Sequence, residues 1–483
     1  MNKHNIMQRF VRTGTVAAAA CALLGGALLA PAGATPGSAH RLVTSGSVSS
    51  TGQTRSTWLA TQLLTALRAA DYSSVVDFNK QAPGELAPRV TYSPHVDLAV
   101  IELDDRGRAV AAANVQQSRD FPNGRIVRLD DDLRAQGTDF RAWNLTRWDT
   151  LSPADFAGTP YPTGSALVPG AKGVPFMSPY PASTFKILVA VQILRLVDAG
   201  KLKLTQQTVN QTPGGSCVEG GVLPAAGTQP TVGDALDSMI TFSDNTSTCL
   251  LLQQLHAMRQ LVPGSNALNA TFAKLGMPTL QVNGTDPATG AGWGVGSIDM
   301  TAMDTARVLL LLQGGRLSLL NRGGESPNDL LSARSRKLLL DLLTQQGFNE
   351  VLSTTNWCGL SYPQQGIPAR VPDRWVAADG TVTVDGIPYG QDVRPCNAAA
   401  QVSFAHKTGL TENYGSDAGI VTALPGQDGR RYIVALFTNV GYRYSDASQA
   451  ATAGYPCFTG LGICYSEKFA QLGRSIDDLM RRA

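Results

Sequence analysis

Apolar residues along the chain fall at two different periods, and the alternation between them sketches a fold. At Phe185, Leu188, Val189, Ile193, Leu196 and Val197 the period is helical, with Gly200 as a stop, which predicts a helix buried along one face. Trp58, Leu59, Leu63, Leu64 and Leu67 predict an amphipathic helix over 57–70. Val96 to Glu102 and Ala109 to Val115, split by Asp104-Asp105-Arg106-Gly107, predict two strands around a turn. Residues 116–172 hold no sustained period, so short strands or turns are expected there.

Helical spacing returns at Val232 to Ile240, Thr246 to His256, Ala267 to Leu275, Thr301 to Leu312 and Ser332 to Leu343. Residues 344–400 interrupt it with prolines, Trp357, Cys358, Cys396 and a hairpin pattern of Thr381 to Val384 followed by Asp385-Gly386. Val402 to Thr408, Ser416 to Ala423 and Arg431 to Asn439 then read as strands, the last two joined by a turn at Gln427-Asp428-Gly429, and Glu467 to Met480 as a closing helix. The expected fold is mixed α/β: an antiparallel sheet built from both ends of the chain, flanked by helices, with an inserted all-helical lobe.

Composition changes this picture in two places. Only 16% of the 483 residues are charged, below the usual quarter, and a net charge of +3 with no basic run excludes nucleic acid as a partner. Lys3, Arg9 and Arg12 precede an Ala/Leu-rich run from Val16 to Ala30, with small residues at Ala32-Gly33-Ala34 and Gly37-Ser38-Ala39. This is the pattern of a cleaved export signal over residues 1–39, followed by a flexible lead at 40–55 and a domain over 56–483. An uncleaved anchor or a lipoprotein modified at Cys21 are the alternatives; the run is short for an anchor, so no stable membrane span is expected after cleavage. Removal of the signal leaves Cys217, Cys249, Cys358, Cys396, Cys457 and Cys464, an even set consistent with disulfides in an exported chain. Fifteen pairings are possible, and pairing in sequence order would join 217 to 249, 358 to 396 and 457 to 464. No Cys-x-x-Cys or histidine cluster suggests a metal, and no cofactor is expected.

The candidate chemistry starts at Ser183-Thr184-Phe185-Lys186, where Pro181 suits the first turn of a helix. A serine becomes a nucleophile when a neighbouring base takes its proton, and Lys186, one turn on, can do so if its surroundings lower its pKa. Alone the pattern is weak: a chain this long holds about one or two copies by chance, and such a pair reads as capping plus a snorkelling lysine. Ser243-Asp244-Asn245 sits between two predicted helices and, alone, reads as a helix cap. Lys407-Thr408-Gly409 closes a predicted strand. The three together, in this order and each at an element boundary, are far less probable by chance.

This ordered trio resembles the penicillin-recognising serine enzymes, the superfamily of class A β-lactamases and D,D-peptidases. Met177 to Leu188 is close to the class A pattern, and Thr301-Ala302-Met303-Asp304-Thr305-Ala306-Arg307 resembles the helix that follows the family's omega loop. The likeness covers about 56–483, with 116–172 and 344–400 as expected insertions; the second accounts for the long interval from Ser243 to Lys407. The resemblance implies that Ser183 forms an acyl-enzyme with Lys186 as proton acceptor or relay, and that Ser243 passes a proton to the leaving nitrogen. It implies that Asn245 holds a substrate amide and that Lys407 and Thr408 receive a carboxylate. The oxyanion would lie between the backbone N–H groups of Ser183 and Leu410, with Gly409 in the same substrate-binding strand. His406 and Tyr180 would be walls of the site.

One departure stands out. Class A enzymes carry an omega-loop glutamate that activates the deacylating water, yet Thr271 to Ser297 contains none, and its only acidic residue is Asp286. Asp286, in a turn-like setting, is either the water activator or structural; Lys186 or Glu219 are other candidate bases. The implied function is a secreted β-lactamase-like serine hydrolase, expected to be a monomer, acting on a β-lactam or a peptidoglycan-type acyl substrate. The alternatives are a D,D-carboxypeptidase or transpeptidase, an esterase, and a penicillin-binding protein that deacylates slowly.

Overall fold

The computed structural model describes residues 48–90, 92–143, 164–218, 221–262, 264–319, 325–359, 366–389, 391–447 and 466–482. The expected export signal over residues 1–39, residues 40–47 of the expected lead, Glu219, Cys457 and Cys464 lie outside the described residues.

Strands β1 (Val96–Leu103), β2 (Ala109–Gln117), β3 (Arg125–Leu129) and β4 (Ala135–Gln136) come from the first part of the chain. Strands β5 (Val402–Leu410), β6 (Gly415–Ala423) and β7 (Arg431–Thr438) come from the last. They form one antiparallel sheet in the order β5-β6-β7-β1-β2-β3-β4. The two ends of the chain meet where β7 pairs with β1, Val434 opposite Val100 and Leu436 opposite Leu98. Residues 116–172 therefore do contain short strands, and two of them extend the sheet. The turn between β6 and β7 lies slightly earlier than its sequence suggested, closed by Gln427 N–H donating to Leu424 O at 3.0 Å.

Because strand side chains alternate, β1 is apolar on both faces and divides two cores. Leu98 and Val100 face a core completed by α1 (Val48–Ala69), through Leu59, Leu63 and Leu67, and by the C-terminal helix Ser466–Arg481, through Phe469, Leu472 and Ile476. Ala99 and Ile101 face the larger core, which contains the lobe.

That lobe holds α2 (Lys186–Asp198), α3 (Val232–Thr241), α4 (Asn245–Ala257), α5 (Ala267–Lys274), α6 (Ala302–Leu312) and α7 (Ala333–Thr344). It is helical with two additions, the short antiparallel pairs Leu261–Val262 with Ser265–Asn266 and Gln281–Val282 with Ile298–Asp299. After α7 the chain forms a small unit with its own core of Trp357, Val371, Val382, Val384, Tyr389 and Val393. It includes the expected hairpin, Val382–Val384 with Ile387–Tyr389. Disulfides join Cys217 to Cys249 and Cys358 to Cys396, two of the three sequence-order pairs. No helix among the described residues is long and apolar enough to cross a membrane.

Candidate active site

Ser183 lies where α2 meets the sheet. The helix is entered through a 3-10 turn, Ala182–Phe185, rather than directly as an α-helix, and Ala182 has φ +47°. A left-handed alanine costs about 1–3 kcal/mol and persists only where its surroundings fix it. Here Ser416 of β6 fixes it: Ser416 Oγ donates to Pro181 O at 2.6 Å and lies 2.8 Å from Thr184 Oγ1. Ala182, Thr184 and Phe185 are buried, whereas Ser183 between them is partly exposed. The turn thus presents one hydroxyl to the cleft.

Gly409 of β5 explains how the strand comes so close. A Cβ at this position would stand 2.4 Å from Pro181 O, 2.4 Å from Ser416 Oγ and 2.8 Å from Ser183 N. Only a residue without a side chain lets the Lys407-Thr408-Gly409-Leu410 backbone approach the Ser183 amide this closely.

Lys186, fully buried, points from α2 towards the α3–α4 junction. Its Nζ is 2.6 Å from Ser243 O, 3.1 Å from Ser243 Oγ and 2.8 Å from Asn245 Oδ1. Ser243 takes φ +64°, and Asp244 caps α4 by accepting from Thr246 N at 3.2 Å and Ser247 N at 2.6 Å. Asp244, not Ser243, is therefore the cap, which leaves Ser243 Oγ facing the lysine. Burial pushes the Lys186 amine well below its ordinary pKa, the charge of Lys407 pushes it further, and Asp244 acts in the opposite sense. A neutral amine can donate to Ser243 O and Asn245 Oδ1 while its lone pair faces a hydroxyl. That is the protonation state a base requires.

Lys407 is also fully buried. Its Nζ donates to Gln346 Oε1 at 3.0 Å and to Thr408 O at 3.0 Å. Burial lowers its pKa to about 7, against the opposing attraction of Asp417 and Glu350. His406 Nδ1 lies 2.7 Å from Asp417 Oδ1 behind the strand, and Glu350 is held protonated up to about 8, by burial first and then by Asp417. His406 is buried in that pair, and Tyr180 is buried and packed edge-on against Tyr414. The residues of the three motifs thus come from neighbouring elements, the turn before α2 with the first residue of that helix, the α3–α4 junction and β5, whereas Asp286 lies apart in the loop over 283–297.

The beta-lactamase enzyme family matches residues 178–454, more than half of the chain and all of the residues just described. The chain belongs to this family. Among solved structures, PBP-A is similar at 16% identity and TM-score 0.46, covering 88% of this chain and 97% of that one. A β-lactamase from Sphaerobacter thermophilus DSM 20745 is similar at 16% identity and TM-score 0.40, covering 86% and 95%. One from Chitinophaga pinensis DSM 2588 is similar at 15% identity and TM-score 0.42, covering 87% and 98%. No curated protein matches the sequence.

In this beta-lactamase-family hydrolase the loop over 283–297 carries Asp286 as its only acidic residue. Asp286 is exposed, and its Oδ1 accepts from Ala288 N at 2.9 Å, Thr289 N at 2.7 Å and Thr289 Oγ1 at 2.9 Å. These bonds to its own turn lower its pKa and give it a structural place. The side chain this loop brings to the site is Trp293, whose ring centroid is 5.5 Å from Lys186 Nζ and 5.1 Å from the Phe185 ring. Neither Trp293 nor Gln346 stands out in the sequence. Each lies in a stretch without a sustained period and reaches the site through long-range packing. The omission of glutamate from the loop is the one local signal that could have directed attention to Trp293. Among the described residues, no group of His, Cys, Asp and Glu side chains is placed to hold a metal ion.

Proposed function

We propose that the protein is an exported serine acyl hydrolase, active as a monomer, that opens a β-lactam or a peptidoglycan-type amide through an acyl-enzyme on Ser183. The observation that carries this reading is the fully buried Lys186 amine, one turn from Ser183 and 3.1 Å from Ser243 Oγ. Lys186 takes the Ser183 proton as Oγ attacks the carbonyl carbon, and Ser243 passes a proton to the nitrogen as the C–N bond breaks. The Ser183 and Leu410 N–H groups receive the oxyanion, where one such donor contributes about 3 kcal/mol in the transition state. Asn245 orients the substrate amide, while Lys407 and Thr408, on a strand that Gly409 brings against Ser183, receive the carboxylate.

The test is intact-mass analysis of the protein, freed of residues 1–39, after mixing with benzylpenicillin. A mass increase equal to the whole penicillin molecule is expected, and it should be absent from Ser183→Ala. An equal increase in Ser183→Ala would refute the assignment.

A further inference from the structure

We infer that Trp293 is a positioning residue that shields the acyl-enzyme from water, so that β-lactams are held as long-lived adducts rather than rapidly hydrolysed. This rests on the acyl-enzyme proposed above, but concerns its second half. Release requires a water oxygen to attack the ester carbon and give up a proton to a base, while the C–Oγ bond breaks and Ser183 regains a proton. The water must therefore stand beside a proton acceptor. A localised water in a protein interior also needs about two to four polar partners.

Ser243 and Asn245 supply Lys186 Nζ with three oxygen contacts within 3.1 Å, and the indole of Trp293 lies 5.5 Å from the same nitrogen. Trp293 is 8% exposed, and its only polar side-chain atom, Nε1, is a donor with no hydrogen-bond partner among the described residues. An indole has nothing with which to accept a proton from water. The loop's one carboxylate, Asp286, is exposed and bonded to its own turn.

The loop is also pinned on the Trp293 side. Gly290, with φ +71°, lies so close to α4 that a Cβ would stand 2.1 Å from Cys249 O. Gly292, with φ +87°, packs against Gly284, where a Cβ would stand 2.4 Å from the carbonyl oxygen. The Tyr180 hydroxyl donates to Trp293 O at 3.4 Å. Two close backbone approaches, one of them to the helix α4 that begins with Asn245, and a hydrogen bond hold the indole beside Phe185 and Lys186. Trp293 thus occupies the flank of the lysine with a surface that offers water no acceptor.

The experiment compares wild type, Trp293→Phe, Trp293→Gly and Trp293→Glu by intact mass over time, after a pulse of benzylpenicillin followed by removal of the free drug. Wild type should retain the adduct, and Trp293→Phe, which keeps an apolar ring, should retain it as well. Trp293→Gly or Trp293→Glu should still gain the mass but lose it at least about tenfold faster, a change of about 1.4 kcal/mol in the release barrier. A wild-type adduct that disappears as quickly as it forms overturns the inference while leaving the acyl-enzyme intact. So does an adduct that lasts equally long in a folded Trp293→Gly or Trp293→Glu protein. Failure of wild type to gain mass while the benzylpenicillin also stays unhydrolysed would instead remove the acyl-enzyme on which the inference rests.

Discussion

Gln346 accepts a hydrogen bond from Lys407: the amide oxygen lies 3.0 Å from Nζ and 3.3 Å from the neighbouring Thr408 N. The other end of the same side chain donates to Thr241 O at 3.0 Å, and Gly347 N donates to that carbonyl at 2.6 Å. A residue just after α7 thus ties the lysine strand to the end of α3, two residues before Ser243. The spacing between the two halves of the site is set from outside the three motifs.

Replacing Gln346 with Ala should therefore act on substrate capture. Lys407 would lose a neutral acceptor in a fully buried position, a change of about 1–3 kcal/mol. The expected result is a several-fold or greater fall in the second-order rate of acylation by benzylpenicillin, arising mainly from weaker binding at low concentration. Stopped-flow acylation across a concentration series would measure it, and an unchanged concentration dependence would contradict this role.

The two lysines impose opposite pH limits. Lys186 must be neutral to accept a proton, and its pKa is lowered by burial and by Lys407, so acylation should fall at acid pH, below the ordinary lysine range. Lys407 must be charged to attract a carboxylate, and its folded pKa is about 7. The charge is present below that value and lost above it, so capture of an anionic substrate by the free protein should weaken as pH rises through about 7. A second-order acylation rate measured from pH 5 to 9 should be bell-shaped. A substrate lacking the carboxylate should lose the alkaline limb and keep the acid one.

The parts of this arrangement legible in the sequence are those encoded locally. Apolar periodicity located α2, so Lys186 could be placed one turn after Ser183. Ser243-Asp244-Asn245 could be placed at a helix boundary because Asp244 is a capping residue. Strands β1, β2, β5, β6 and β7 are long enough to show a pattern, whereas β3 and β4, at five residues and two, are too short to do so. The left-handed Ala182 leaves no trace in residue type, since its conformation is imposed by Ser416 more than two hundred positions away. Gln346 and Trp293 were hidden for the same reason. Their partners are chosen by the packing of α3, α4 and β5, which no local window contains.

Gly409→Ala should separate close approach from chemistry. The added methyl would meet two backbone atoms, Pro181 O at 2.4 Å and Ser183 N at 2.8 Å, as well as Ser416 Oγ at 2.4 Å. Backbone atoms cannot swing aside as a side-chain end can, so the strand and the Ser183 turn must part. Overpacking of this kind costs about 1–3 kcal/mol, which predicts a lower Tm together with a loss of acylation of at least tenfold. An equally destabilising substitution remote from the site should lower Tm without that loss, and thermal unfolding paired with acylation rates would distinguish the two.

His95 should limit stability in acid. It is fully buried, its ring lies 5.2 Å from that of Trp143 and 5.5 Å from that of Phe176, and its Nδ1 is 3.2 Å from Met177 O. Burial lowers its pKa to about 3, partly offset by the bond to Met177. Between the unfolded value of about 6.5 and that folded value, the unfolded chain binds a proton that the folded chain refuses. The sign follows: the contribution of the neutral ring is complete above about pH 6.5 and is lost as pH falls towards 3, on the order of 3 kcal/mol by about pH 4.5. His95→Gln removes the titration but keeps a side-chain donor for Met177 O. It should be less stable than wild type at pH 8 through poorer packing, and the gap should narrow as pH falls below about 6.5. Urea unfolding at a series of pH values would measure that gap, and a constant difference from pH 8 to pH 4.5 would show that the buried ring is not what titrates.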